Sequence, residues 1–133
     1  MRRSAMAGLG MALMALGARA DPSDANAAAL AWLALVDHGA YAESWTKAGS
    51  LFRSHGAAPD WAGKIGPTRQ PLGAVIARSL THQTATASLP GAPDGVYEIL
   101  EFKTRFAKKA GALETVVLAR ERNGWKVDGY FLK

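Results

Sequence analysis

Glu114-Thr-Val-Val-Leu-Ala-Arg-Glu-Arg-Asn-Gly-Trp-Lys-Val-Asp-Gly-Tyr-Phe-Leu-Lys133 closes the chain with two strand-like runs that meet at Asn123-Gly124. Asn-Gly is the dipeptide best suited to a two-residue hairpin turn, because both central residues need positive φ. With that pair as the loop, Arg122 faces Trp125, Arg120 faces Val127, Leu118 faces Gly129 and Val116 faces Phe131. These residues share a mostly apolar face, which is the predicted core face. Val117, Ala119, Tyr130 and Leu132 then lie on the outer face. Gly129 leaves room opposite Leu118 for a strand to bend or a helix to approach.

Working back from the hairpin, Val96 to Phe106 reads as a further strand. Its face of Val96, Leu100, Phe102 and Phe106 also carries Glu98. Leu72 to Ser88 alternates as one long strand or a bent pair, and Leu89-Pro-Gly-Ala-Pro-Asp-Gly95 is a loop. Before the strands the period changes to that of helices. Ala29, Trp32, Leu33 and Val36 form one stripe of a helix from about Ala27 to Asp37, after a loose polar lead-in from Asp21. Tyr41, Trp45, Ala48 and Phe52 form another stripe, on a helix running to about Ser54. Pro59 opens a short third helix, which Gly66-Pro67 is expected to close. The predicted fold is α+β: three N-terminal helices, then about four antiparallel strands.

The chain has 133 residues and no cysteine. Met1-Arg2-Arg3, an uncharged run from Ala5 to Gly17, and Ala18-Arg19-Ala20 together read as a cleavable export signal, with the cut before Asp21. The expected organisation is a signal peptide over 1–20 and one domain over 21–133, periplasmic or secreted. The general secretory route fits better than the twin-arginine route, because Ser4-Ala5 matches the latter poorly. Sixteen basic residues less Arg2, Arg3 and Arg19 leave thirteen, against eleven acidic ones. The mature chain is therefore nearly balanced, and a nucleic-acid role loses the clustered basic face it would need. No segment after Asp21 is apolar enough to span a membrane.

Several stretches resemble the small exported bacterial proteins filed as domain of unknown function 4019. They are Trp32-Leu-Ala-Leu-Val-Asp-His-Gly-Ala-Tyr-Ala-Glu-Ser-Trp45, Arg69-Gln-Pro-Leu-Gly73 with Arg78, and Leu89-Pro-Gly-Ala-Pro-Asp-Gly-Val-Tyr97. To these are added Phe106-Ala-Lys-Lys109, Glu114-Thr-Val, Gly124-Trp125 and Gly129-Tyr130-Phe131. The resemblance implies a curved antiparallel sheet covered by helices, a cone similar to the cystatin-like and nuclear transport factor 2-like folds. It implies no reaction and no catalytic residues.

The residues themselves carry no catalytic signature. His38, His55 and His82 have no ligand partner at metal spacing in their own elements, so no metal site is expected. Ser44, Ser50 and Ser54 lack nucleophile-elbow glycines, and no glycine loop suits a phosphate or cofactor. The expected role is non-enzymatic binding of a small apolar molecule or an envelope protein partner, in a pocket with a few polar anchors. Glu98 and Arg120 are the candidate anchors, predicted to lie opposite one another on core faces, where a charge is costly unless paired; a purely structural salt bridge at the sheet end, where the helices no longer cover it, is the competing and simpler account. Trp45 and Trp125 are the candidate apolar wall, although helical spacing gives Trp32 and Trp45 a competing account as core. Two rivals stand beside this reading. One is a small isomerase- or dehydratase-type enzyme using Tyr41, Tyr97, Tyr130, Glu98 or Asp128. The other is a homodimer joined through the outer sheet face.

Overall fold

A computed structural model describes residues 21–133; the expected export signal lies outside the described residues. The elements are α1 (Pro22–Asp37), α2 (Tyr41–Lys47), α3 (Ser50–Arg53), α4 (Ala58–Arg69), a 3₁₀ turn (Gln70–Leu72), β1 (Val75–Thr86), β2 (Tyr97–Phe106), β3 (Lys109–Glu121) and β4 (Gly124–Leu132). The strands form one open antiparallel sheet in the order β1-β2-β3-β4. The fold is α+β, with the helices packed on the sheet face that carries the core.

The first helix starts earlier than its apolar stripe suggests. Asp21 caps it by accepting from Ser23 N–H at 2.9 Å, and Pro22 occupies the first helical position, where its missing N–H costs nothing. The expected loose lead-in is therefore the first turn of α1. That turn is tied to the sheet by Gln83 Nε2 donating to Pro22 O (2.8 Å) and Trp125 Nε1 to Asp21 O (3.2 Å). Ala25, Ala29, Trp32, Leu33 and Val36 are buried against Leu100, Phe102, Val116, Leu118 and Val127 of the sheet.

The single helix expected over 41–54 is two helices broken at Ala48-Gly49. Gly49 N–H leaves the helical pattern to donate to Val127 O of β4 at 2.7 Å. A Cβ on Gly49 would lie 2.1 Å from Asp128 Oδ1 and 2.9 Å from Glu121 Oε2. Helix α4 also departs from expectation: it runs through Gly66-Pro67 to Arg69. Gly66 packs against Tyr41, where an added Cβ would lie 3.4 Å from Cε2. The extra turn carries Arg69 into contact with Asp37.

The hairpin forms where the sequence places it, but in a different register. Glu121 pairs with Gly124, Arg120 with Trp125 and Leu118 with Val127. Gly124 has φ 118°, and no non-glycine described residue has positive φ. A turn with positive φ at both Asn123 and Gly124 is thus ruled out; the loop pair is Arg122-Asn123, and Gly124 opens the strand. Farther along, the pairing shifts between Val117 and Leu118, leaving Asp128 as an extra residue in β4. A bulge reverses which side chains face the core. Tyr130 consequently pairs with Val116 on the inner face, and Phe131 turns outward, 62 % exposed. This corrects the expected placement of both residues and removes Tyr130 from the outer face proposed for dimerisation. Another member of that set, Ala119, is buried beside Tyr97. The Tyr97 hydroxyl donates to Pro93 O of the overlying loop at 2.5 Å.

Candidate functional site

Two polar or aromatic assemblies stand out, and Tyr130 belongs to both. The first is an ion-pair network between helices and sheet. Glu114 occupies the β3 face of Val116 and Leu118 and is fully buried. Arg78 of β1 reaches it with Nε to Oε1 (2.8 Å) and Nη2 to Oε2 (3.2 Å). The same guanidinium grips Asp37 at the end of α1, with Nη1 to Oδ2 at 2.8 Å and Nη2 to Oδ1 at 3.0 Å. Arg69 Nη2 donates to Asp37 Oδ1 at 2.7 Å, and its guanidinium lies 4.7 Å from the Phe106 ring centre. The Thr104 hydroxyl donates to Glu114 Oε1 at 2.5 Å, and the Tyr130 hydroxyl donates to Glu114 Oε2.

Two carboxylates thus balance two guanidiniums, and the network pins β1, β3 and β4 to α1 and α4. Burial pushes the Asp37 carboxyl up, but the hydrogen bonds and charges of Arg78 and Arg69 outweigh it and hold Asp37 below the usual aspartate range. Burial works against the Arg78 charge too, yet Asp37 and Glu114 together raise its pKa. Tyr130 is pushed up by burial and by the Glu114 charge, so its hydroxyl keeps its proton.

The second assembly is an aromatic groove of about 310 Å³. It lies where α2, α3 and α4 meet the end of β4. Trp45, Phe52, Trp61, Tyr130 and Phe131 supply its apolar surface, and His55, Asp60, Lys64 and Asp128 its polar part. The rings are braced from behind. Phe52 and Trp61 meet edge-on with centres 4.8 Å apart, and the buried Trp32 stands 5.6–5.9 Å behind Phe52, Trp61 and Tyr130. Phe131, on the other face of the edge strand, curls over Gly129; a Cβ there would come within 3.2 Å of its ring. Asp128 sits at the β4 bulge and accepts from Phe52 N–H at 3.2 Å, while Glu121 accepts from Ser50 N–H at 2.9 Å. The two carboxylates therefore cap the short helix α3 together. Burial raises the Asp128 pKa and Glu121 adds to the rise, against the lowering effect of the backbone hydrogen bonds.

The four sequence candidates separate. Trp45 lines the groove, and its Nε1 donates to Gly56 O at 3.0 Å. Trp125 is buried against the start of α1, away from the aromatic groove, where it lines a separate depression with Ala28, Trp32, Leu35 and Lys47. Glu98 is buried, pairs in register with Leu118, and accepts from Gln83 Nε2 at 3.1 Å. Arg120 is half-buried and two residues farther along β3, so the expected face-to-face pairing of Glu98 with Arg120 is corrected to a diagonal one. Sequence reasoning missed Asp37, Arg69, Arg78, Thr104 and Glu114 as a unit. The signal was present in part: Glu114 continues the i, i+2 face of Val116 and Leu118, and Thr104 sits between Phe102 and Phe106 on the core face of β2. Among the described residues no group of three or more His, Cys, Asp or Glu could hold a metal ion.

No curated protein and no solved structure matches the chain. Residues 28–130 match the family described as "Protein of unknown function (DUF4019)". That span runs from the middle of α1 to Tyr130, and includes both the ion-pair network and all of the groove except Phe131. The chain belongs to the DUF4019 family.

Proposed function

We propose that this protein is exported and binds a small, largely apolar molecule in the groove between α2, α3, α4 and β4. The observation that carries the reading is the concentration of Trp45, Phe52, Trp61, Tyr130 and Phe131 around one 310 Å³ depression. Pockets of this size, mostly aromatic with a few convergent polar groups, are the usual form of small-molecule sites. Large rings left at a surface lose hydrophobic stabilisation that an occupant would recover. The bracing by Trp32 and the hydrogen bonds of the indoles keep the rings in place without a ligand, so little ordering cost falls on binding. Binding fits the groove better than catalysis. The Tyr130 hydroxyl is committed to Glu114, and Asp60 and Asp128 are each held in place by a helix-end N–H, with Asp60 accepting from Ala57 N–H at 3.1 Å. The export half of the proposal rests on the leader-like Met1 to Ala20.

Native mass spectrometry of the protein purified from its own compartment tests both halves. The expected result is a chain starting at or within two residues of Asp21, carrying a small bound mass that Trp61→Ala removes. A chain retaining residues 1–20 would overturn export. A bound mass that survives Trp61→Ala would overturn the groove as its site.

A further inference from the structure

The class of molecule the groove selects follows from what its walls have left to offer; this step rests on the groove being a ligand site. Tryptophan and tyrosine each present a π face and one polar hydrogen. Here the polar hydrogens are already spent within the protein. Trp45 Nε1 donates to Gly56 O (3.0 Å), Trp61 Nε1 to Ser44 Oγ (2.9 Å), and the Tyr130 hydroxyl to Glu114. Trp32 behind them donates to Ser44 O at 2.8 Å. The rings therefore present electron-rich faces and no free donor.

The polar groups complement this. Asp60 and Asp128 each accept from a helix N–H, and a carboxylate has about four lone-pair sites, so both retain acceptor capacity. Glu121 stands just behind Asp128 at the start of α3 and adds a third negative charge. Against these, among the residues that line the groove, stand Lys64 and His55; both are exposed at the rim, as Asp60 is, while Asp128 is half-buried. Acceptors and π faces without inward donors are the complement of a positive charge on a hydrocarbon frame.

We infer that the groove takes an organic cation, an apolar ring or chain bearing an ammonium group. The hydrocarbon part rests on Phe52, Trp61 and Tyr130, and the ammonium group meets the half-buried Asp128, with the exposed Asp60 adding its charge at the rim. Lys64 sits at the rim, where its charge disfavours a second positive charge at the outer end, so the preferred ligand is a monocation.

The test is calorimetric titration of the mature chain with three probes of one shape: benzylammonium, benzyl alcohol and benzoate. Benzylammonium is expected to bind about tenfold more tightly than benzyl alcohol, with benzoate weakest. Asp128→Asn keeps an oxygen for Phe52 N–H and is expected to reduce benzylammonium to the benzyl alcohol level. Asp60→Asn, which lies outside the sheet, gives a second reading should the first variant fold poorly. Equal binding of benzylammonium and benzyl alcohol, or a preference for benzoate, overturns the cation assignment while leaving the groove as a ligand site. Binding of none of the three overturns both. Benzylammonium binding that neither aspartate substitution weakens overturns the assignment of the charge to these carboxylates.

Discussion

Glu114 gathers hydrogen bonds from Arg78, Thr104 and Tyr130 in a place with no exposure. Removing one partner of a buried ion pair costs more than the pair contributes, because the other charge stays buried and unpaired. Glu114→Gln keeps the shape and leaves two guanidiniums facing one carboxylate; chemical denaturation is expected to show a loss of about 3 kcal/mol. An unchanged midpoint would mean the network does not hold the sheet to the helices. Asp37 gives the network a pH signature. Its folded pKa lies below the ordinary 3.8, so as pH falls the unfolded chain takes up the proton first. The Asp37 contribution is present above about pH 4 and is lost as pH falls through the folded value. Urea midpoints for the parent and Asp37→Asn are therefore expected to differ most near neutrality and to converge as pH falls through the lowered folded value. Asp128 runs the other way: its raised folded pKa makes its contribution less favourable as pH rises from 3.8 through that value. The network is hard to read from the sequence because Asp37, Arg69, Arg78 and Glu114 come from four elements, and only their faces, not their meeting, are local. Glu98 and Arg120 are the conspicuous charges in the sequence because they sit at the end of the core faces nearest the hairpin turn; the network occupies the other end of those faces.

The hairpin shows what short-range patterning can and cannot specify. A hairpin turn beside Gly124 was legible, since Gly124 has φ 118°, but not the residues that form it. The register was not, because the turn takes Arg122-Asn123 as its loop and Asp128 inserts an extra residue that no alternation announces. Gly124→Val places a β-branched side chain at positive φ and is expected to cost about 1 kcal/mol or more in chemical denaturation. A midpoint equal to the parent's would place the turn elsewhere. The break between α2 and α3 is the helical counterpart. The apolar spacing of Tyr41, Trp45, Ala48 and Phe52 reads as one helix, while the break is imposed by Val127 O and the two carboxylates across the chain. Gly49→Ala would push Asp128 away from Phe52 N–H and is expected to destabilise by about 1–2 kcal/mol. An unaltered stability would show that the close approach of β4 does not set the break.

At the scale of the molecule, one sheet face carries four helices, and the helix-to-strand order along the chain makes that α+β architecture legible from residue periodicity alone. The groove was not legible as a site. Trp45 and Trp61 belong to different helices, Phe52 to a third, and Tyr130 reaches them only because the bulge at Asp128 turns it inward. Trp125, equivalent to Trp45 by composition, ends in the core instead. That separation provides the most direct check of ligand binding in the groove. Each indole N–H gives its own signal in a proton–nitrogen correlation spectrum, and the four tryptophans Trp32, Trp45, Trp61 and Trp125 divide cleanly by location. Titration with benzylammonium is predicted to shift the Trp45 and Trp61 indole signals strongly, Trp32 weakly from behind, and Trp125 not at all. A spectrum in which none moves, or in which Trp125 moves and Trp45 and Trp61 do not, would contradict the groove as the binding site.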